Sequence, residues 1–219
     1  MFILKKFSAE NYLSLIIFFF ALLINQFSGN RGIFPIDSFS HFDIGYRILN
    51  GDLPFRDYWV VSGPLIDFLQ AFIFLVFDST WQAYLLNASI LNGIISVLIF
   101  RLFLSFKLDK KISFFYAISF GILAYPVSGT PFVDLHSVYF SIISIFFLIY
   151  ALKTGELKYW YLLPIFLVFS FLSKHKNNEK FELKSGYYII NNDLKTGDGE
   201  HWIAVILTSK TAYIYDSFA

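Results

Sequence analysis

Cysteine is absent from all 219 residues, which removes disulfides, thiolate metal sites and a cysteine nucleophile in one stroke. Charge is scarce as well: charged residues make up 15% of the chain and the formal net charge is +1, so no field of one sign steers the chain toward nucleic acid. No internal repeat, glycine-rich phosphate loop or HExxH pattern occurs. The sequence points to no metal and no cofactor. What is abundant is apolar. Hydrophobic residues reach 57%, aromatics 21% and the mean hydropathy is +0.60, beyond what a soluble domain needs to bury one core. The chain reads as an integral membrane protein.

Apolar runs predict five spans at residues 13–27, 83–100, 112–125, 135–152 and 159–172. Lys5 and Lys6 precede the first. Phe27-Ser28-Gly29 is a poor signal-peptidase site and further apolar runs follow, so an uncleaved first span with a cytoplasmic N-terminus is expected. Residues 65–77 are apolar but would cover only roughly 20 Å of a ~30 Å hydrocarbon core, and they carry Asp67. They are read as an interfacial or re-entrant helix reached through Gly63-Pro64. With that choice Arg101, Lys107, Lys110 and Lys111 fall on the same side as Lys5 and Lys6, as the positive-inside rule asks. The sequon Asn87-Ala88-Ser89 lies within a span and reads as chance.

The long polar interruption is an outer loop, residues 28–82, which holds Asp37, His41, Asp43, Arg47, Asp52, Arg56 and Asp57 between two hydrophobic runs. Asp37 or Ser38 can cap a helix that stops at Asn50-Gly51. Phe39, Phe42, Tyr46 and Leu49 fall near one stripe of it, which predicts a helix lying flat with its rings among the headgroups. Asp37 and His41 stand one turn apart on another flank. Two readings are open from spacing alone: an amphipathic connector with solvated acids, or a catalytic loop. Asp134 and His136 at the mouth of the fourth span share the same aqueous surface. They are functional candidates by position, with helix capping by Asp134 the plainer account.

The lysine-anchored first span, the long outer loop with an acid near its start, the segment Gly51-Asp52-Leu53-Pro54-Phe55-Arg56-Asp57-Tyr58, and Gly63-Pro64-Leu65 before a short helix together resemble the amino-terminal part of polytopic GT-C glycosyltransferases. These are enzymes similar to protein mannosyltransferases and aminoarabinose transferases. The resemblance covers residues 1–174. It implies sugar transfer from a polyprenyl-phosphate donor to an acceptor at the outer face of the inner (plasma) membrane. Asp37 would be the catalytic carboxylate and Asp43 the second choice. His41 would orient Asp37 or touch phosphate, Arg47 or Arg56 would neutralise the departing phosphate, and Asp134 and His136 would complete the substrate-binding set. Members carry further spans and a carboxy-terminal domain, so the resemblance also implies an incomplete enzyme.

Composition changes at Ser173. Residues 174–184 read as a polar linker, and 185–219 as three short strands with polar turns. A two-residue turn at Ser209-Lys210 would pair Ile203 with Asp216 and bring His201 diagonally next to Asp216. His201-Trp202 and Tyr213-Ile214-Tyr215-Asp216-Ser217 resemble the histidine and acid segments of adenovirus-type and ubiquitin-like-protein-specific cysteine proteases. His201 would be the general base and Asp216 its orienting acid; with no cysteine, proteolysis is not expected. A peptide at this sheet edge is the partner that the resemblance implies. The expected fold class is therefore an all-α polytopic membrane protein, with about five transmembrane helices and interfacial helices, carrying a small C-terminal antiparallel β meander. A glycosyltransferase-like body of residues 1–173 would be joined to an inactive protease-like fragment, whether by genuine recent fusion, by a truncated reading frame or by an assembly error. A membrane scaffold without chemistry is the third functional class.

Overall fold

The structure, a computed structural model, describes residues 8–32, 39–58, 62–174, 186–191, 202–207 and 212–216. Contacts divide the chain into two units, Met1–His175 and Lys176–Ala219. Within the described part of the first unit the order is α1 (Ala9–Gly29), α2 (Ser40–Leu49), α3 (Leu65–Phe77), α4 (Trp81–Ser105), α5 (Lys110–Leu123), a 3-10 turn at Tyr125–Val127, α6 (Val133–Thr154) and α7 (Leu157–Ser173).

Capping residues set several of these boundaries. The Ser8 hydroxyl accepts from the Asn11 amide at the start of α1, Thr80 accepts from Ala83 at α4, and Asp109 accepts from Lys111 and Ile112 at α5. Gly155, in the left-handed region at φ 70°, stops α6. Between the helices the glue is polar as well as apolar. The Asn92 amide donates to the carbonyls of Ala21 at 3.0 Å and Gly121 at 2.9 Å, tying α4 to both α1 and α5. Ser137, Ser141 and Ser144 of α6 bond to Ser170 or to the Leu163 carbonyl of α7. Helices in lipid gain little from the hydrophobic effect between themselves, so close packing and such bonds hold them.

Three helices, α1, α4 and α6, are long and apolar enough to cross a membrane. The expectation of about five transmembrane helices is corrected on that finding. At 14 and 17 residues, α5 and α7 extend only about 21 and 26 Å against a ~30 Å core. The run predicted at 112–125 breaks at Ala124, where ψ turns to −84° and a 3-10 turn with Pro126 follows. The run at 159–172 carries Pro164 inside α7. Both nevertheless return the chain to the end of the bundle where α1 stops and α4 starts: Tyr125 meets His136 of α6, and Lys174 pairs with Asp134.

The other part of the fold-class expectation is corrected too. The described body is all helical, and a C-terminal β meander is not supported as a component of the fold. In the second unit the segments β1 (Gly186–Asn191), β2 (Trp202–Leu207) and β3 (Ala212–Asp216) run antiparallel in chain order as backbone. Paired backbone alone does not make an independently stable sheet, which requires a packed apolar face.

Candidate active site

The loop end of the helical unit gathers α2, the turn at residues 51–58, α3, the first turns of α4 and α6, and the end of α7. The short helix α3 bridges this end. Its preceding residue Gly63 lies so close to α7 that a Cβ there would fall 1.8 Å from the Leu172 carbonyl oxygen, so only glycine fits. Leu65 and Leu69 pack on the cluster of Ala88, Leu91, Tyr125 and Tyr139, and at the far end Phe74 packs with Tyr84 of α4. Helix α3 thus lies across the bundle's mouth.

Helix α2 is pinned on α3 at three points. Gly45 lets it approach: a Cβ would come within 2.9 Å of the Gln70 side chain. The Phe42 ring meets Phe74 and Tyr84 edge-on, with centroids 4.9 and 5.3 Å apart. The third point is His41 Nδ1, 2.6 Å from Asp67 Oδ1, both side chains buried. A carboxylate out of water needs a partner, because desolvation of a lone charge costs several kcal/mol, and the described partner of Asp67 is this imidazole. Its other oxygen, Oδ2, has none among the described residues.

A second polar thread starts one turn along α3. Asn87 Nδ2 donates to Gln70 Oε1 at 3.2 Å, His136 Nε2 stands 3.2 Å from Asn87 Oδ1, and the Tyr125 hydroxyl contacts His136 Nδ1. One assignment satisfies the links of this thread and leaves Nδ1 without a bond to the Phe132 carbonyl 3.2 Å away. The Phe132 amide donates to the Tyr125 oxygen at 3.0 Å, the Tyr125 hydroxyl donates to a bare Nδ1, Nε2–H donates to Asn87, and Asn87 donates to Gln70. Burial pushes the Tyr125 phenol well above its ordinary value, so it keeps the proton that it donates. The thread ends at Gln70 Nε2, which has no partner among the described residues.

The rim is charged, and its charges are paired. Arg47 Nε donates to Asp43 Oδ2 at 2.8 Å along the exposed face of α2, and its guanidinium lies 5.8 Å from the Tyr58 ring centre. Arg56 grips Asp57 through Nε and Nη2, while Asp57 also accepts from the Leu53 amide at 2.8 Å. The Arg56 hydrogen bond and then the Leu53 amide hold the Asp57 carboxyl below its usual range. Burial first, and the charge of Asp67 next, push the Tyr58 phenol up to about 12. Tyr58 therefore keeps its phenolic proton.

Of the residues singled out from the sequence, the structure brings His41 and His136 into the buried interior and leaves Asp43, Arg47 and Arg56 on the rim. Asp134 is half-exposed and held by Lys174. Asp37 and His201 lie outside the described residues, and Asp216 is described as backbone only. His41, placed within reach of Asp37 by helical spacing, is engaged by Asp67 across 26 residues of sequence. Asp67, Gln70, Asn87 and Tyr125 did not stand out. Asn87 looked like part of a chance sequon; the signal that could have found it is an amide inside a span, which needs an internal partner. Among the described residues no group of three potential ligands stands where it could hold a metal ion. At the opposite end Arg101 donates to Ser14 at 3.0 Å and Asn11 at 2.7 Å and faces Glu10 at 3.6 Å, beside an apolar groove of about 490 Å³ between α1 and α4. It is remote from the loop-end cluster.

A family profile described as dolichyl-phosphate-mannose-protein mannosyltransferase matches residues 61–177, which is over half of the chain and takes in α3 to α7. The match stops short of the second unit's strands. No curated protein and no solved structure matches.

Proposed function

Since the chain belongs to the dolichyl-phosphate-mannose-protein mannosyltransferase family, a family of membrane glycosyltransferases that join a lipid-linked sugar to an acceptor, we propose that it transfers mannose from a polyprenyl-phosphate carrier at the outer face of the inner (plasma) membrane, its N-terminus being cytoplasmic. The observation that carries this reading is the family match over residues 61–177. The polar assembly at the loop end supports it, because reaction at a lipid-borne phosphate needs ionisable groups at the membrane boundary.

In the proposed reaction the Asp37 carboxylate takes the proton of an acceptor hydroxyl as its oxygen attacks the anomeric carbon. The bond from that carbon to the phosphate oxygen breaks, and the lipid phosphate departs with the electron pair. A general base must stand within hydrogen-bond reach of the proton that it removes. Asp37, three residues before α2 begins in the sequence, is the candidate for that role, with Asp43 the second choice. His41, fixed by Asp67, sets the buried face of α2. Arg47 and Arg56 each give part of their guanidinium to a neighbouring carboxylate and offer the remaining N–H groups to phosphate. Asp134 and His136 complete the substrate side at the mouth of α6.

Membranes containing the chain, supplied with radiolabelled polyprenyl-phosphate mannose, test the proposal. Label should pass to acceptor with the parent chain and not with Asp37→Asn. Transfer that survives Asp37→Asn would remove the assignment of the base, and absence of transfer by the parent would remove the proposal itself.

A further inference from the structure

The groove between α1 and α4, about 490 Å³ in volume, lies at the end of the bundle away from the loop cluster, and the proposed transfer reaction uses none of its residues. Leu15, Phe18, Ile94, Val97 and Leu98 make its walls. Toward the middle of the two helices it closes, since a Cβ on Gly93 would come within 2.8 Å of the Phe18 ring. At its other end stand Asn11, Ser14 and Arg101. The groove is thus an apolar channel that leads to a cation. Leu15 and Ile94 on its walls are 46% and 39% exposed, so it is open to the surface along its side.

Arg101 and Trp81, which begins α4 at the loop end, are separated by roughly 30 Å of helix, the thickness of a hydrocarbon core. The guanidinium therefore stands at the opposite membrane boundary, where headgroups lie. Its Nε donates to Ser14 and its Nη2 to Asn11, which fixes the direction of the fork. Glu10 faces Nη1 at 3.6 Å, too far for a hydrogen bond. Two of the five N–H groups are used in this way, and the others have no hydrogen-bond partner among the described residues. The side chain keeps 29% of its surface exposed, so these donors can be reached. The surroundings are basic. Lys107, Lys110 and Lys111 follow α4, and Lys5 and Lys6 precede α1 in the sequence, against Glu10 and Asp109. Asp109 is occupied in capping α5. Basic pockets between membrane helices suit anionic headgroups, and a guanidinium fork matches phosphate oxygens. We propose that this groove binds one anionic phospholipid of the bilayer, an acyl chain lying between α1 and α4 against Leu15, Phe18 and Ile94 while the phosphate accepts from Arg101. The lipid ties the start of α1 to the end of α4. It sits at the far boundary from the loop-end cluster, and its binding requires no sugar transfer.

The test is thermal unfolding of the purified full chain in detergent, with phosphatidylglycerol or phosphatidylcholine added at equal mole fraction. Phosphatidylglycerol should raise the midpoint, because a ligand of the folded state stabilises it by mass action, and zwitterionic phosphatidylcholine should not. Arg101→Gln should raise the phosphatidylglycerol concentration needed about tenfold, the effect of losing a charge-assisted hydrogen bond, while Arg101→Lys should keep part of the response. Leu15→Trp, which fills the groove from an exposed wall and leaves Arg101 in place, should abolish the rise, and it carries the test alone if Arg101→Gln does not fold. No rise with phosphatidylglycerol overturns the proposal, and so do equal rises with the two lipids. A selective rise that either folded variant retains in full overturns it by placing the lipid elsewhere. Polyprenyl phosphate that acts through Arg101 and Leu15 at lower concentration than phosphatidylglycerol would assign the groove to the sugar carrier. A lipid-free parent that is dimeric while Leu15→Trp is monomeric would assign it to a second copy of the chain. Either result overturns the proposal.

Discussion

Removal of the His41 imidazole tests how α2 is held. In His41→Leu the Asp67 carboxylate, buried and 2.6 Å from its described partner in the parent, loses its compensating group. Breaking a buried pair from one side costs about 3–5 kcal/mol, because the remaining charge has no solvent. That cost has a cheaper outlet than global unfolding. The helix buries two residues, so α2 should detach from α3 and let water reach the carboxylate. The chain offers a clean reporter, since it has no cysteine of its own. Ala71 is 5% exposed and lies beneath Gly45, so Ala71→Cys should react slowly with a maleimide in detergent while α2 is docked. Adding His41→Leu should speed labelling roughly a hundredfold, the equivalent of about 3 kcal/mol at 1.4 kcal/mol per tenfold, with little change in the global unfolding midpoint. The double replacement His41→Leu/Asp67→Leu should return most of the protection, because an apolar pair leaves no charge stranded. Equal labelling rates with and without His41 would refute the reasoning, and so would a double variant as open as the single one.

Other replacements separate local from global effects. Gly63→Ala puts a Cβ 1.8 Å from the Leu172 carbonyl oxygen, so α3 and α7 must part; a loss of about 3 kcal/mol or more is expected in denaturant unfolding, at or beyond the upper end for overpacking. Gly155→Ala, where nothing lies within 4 Å but φ is +70°, should cost only about 1 kcal/mol from backbone strain. Asn92→Leu removes bonds to Ala21 and Gly121 and should lower stability by about 1–2 kcal/mol on the scale of interhelical bonds in membranes. Lys174→Gln should loosen the end of α7 from Asp134 with less than about 1 kcal/mol of effect, the pair being half-exposed.

Much of the helical body is legible as apolar run length. Spans expected at 13–27, 83–100 and 135–152 correspond to α1, α4 and α6, because an unbroken hydrophobic stretch of that length has few other stable uses. The short helix at 65–77 was read from the same arithmetic. Counting residues failed at 112–125 and 159–172, where a break at Ala124 and an internal Pro164 shorten the usable helix; hydropathy windows register composition and not continuity. The tail misled for a different reason. Alternating residues around Trp202 and Tyr213 suggest strands, but a pattern says nothing of a packed face behind it. At the site, local spacing found His41 and His136 but missed the Asp67 partner of His41, since helical periodicity reports contacts one turn away and is blind to a residue on another helix. The Gln70–Asn87–His136–Tyr125 thread joins α3, α4, the 3-10 turn and α6, an arrangement visible only once those elements are packed.

The most direct measurement is the side of the membrane on which the polar end of the bundle lies. Asp52→Cys places a thiol on the exposed loop and Leu108→Cys places one beyond the far end of α4, each in a chain otherwise free of thiols. A membrane-impermeant maleimide added to intact cells should label Asp52→Cys and leave Leu108→Cys unlabelled until the cells are lysed; the reverse pattern would put the acidic loop in the cytoplasm and contradict sugar transfer at the outer face.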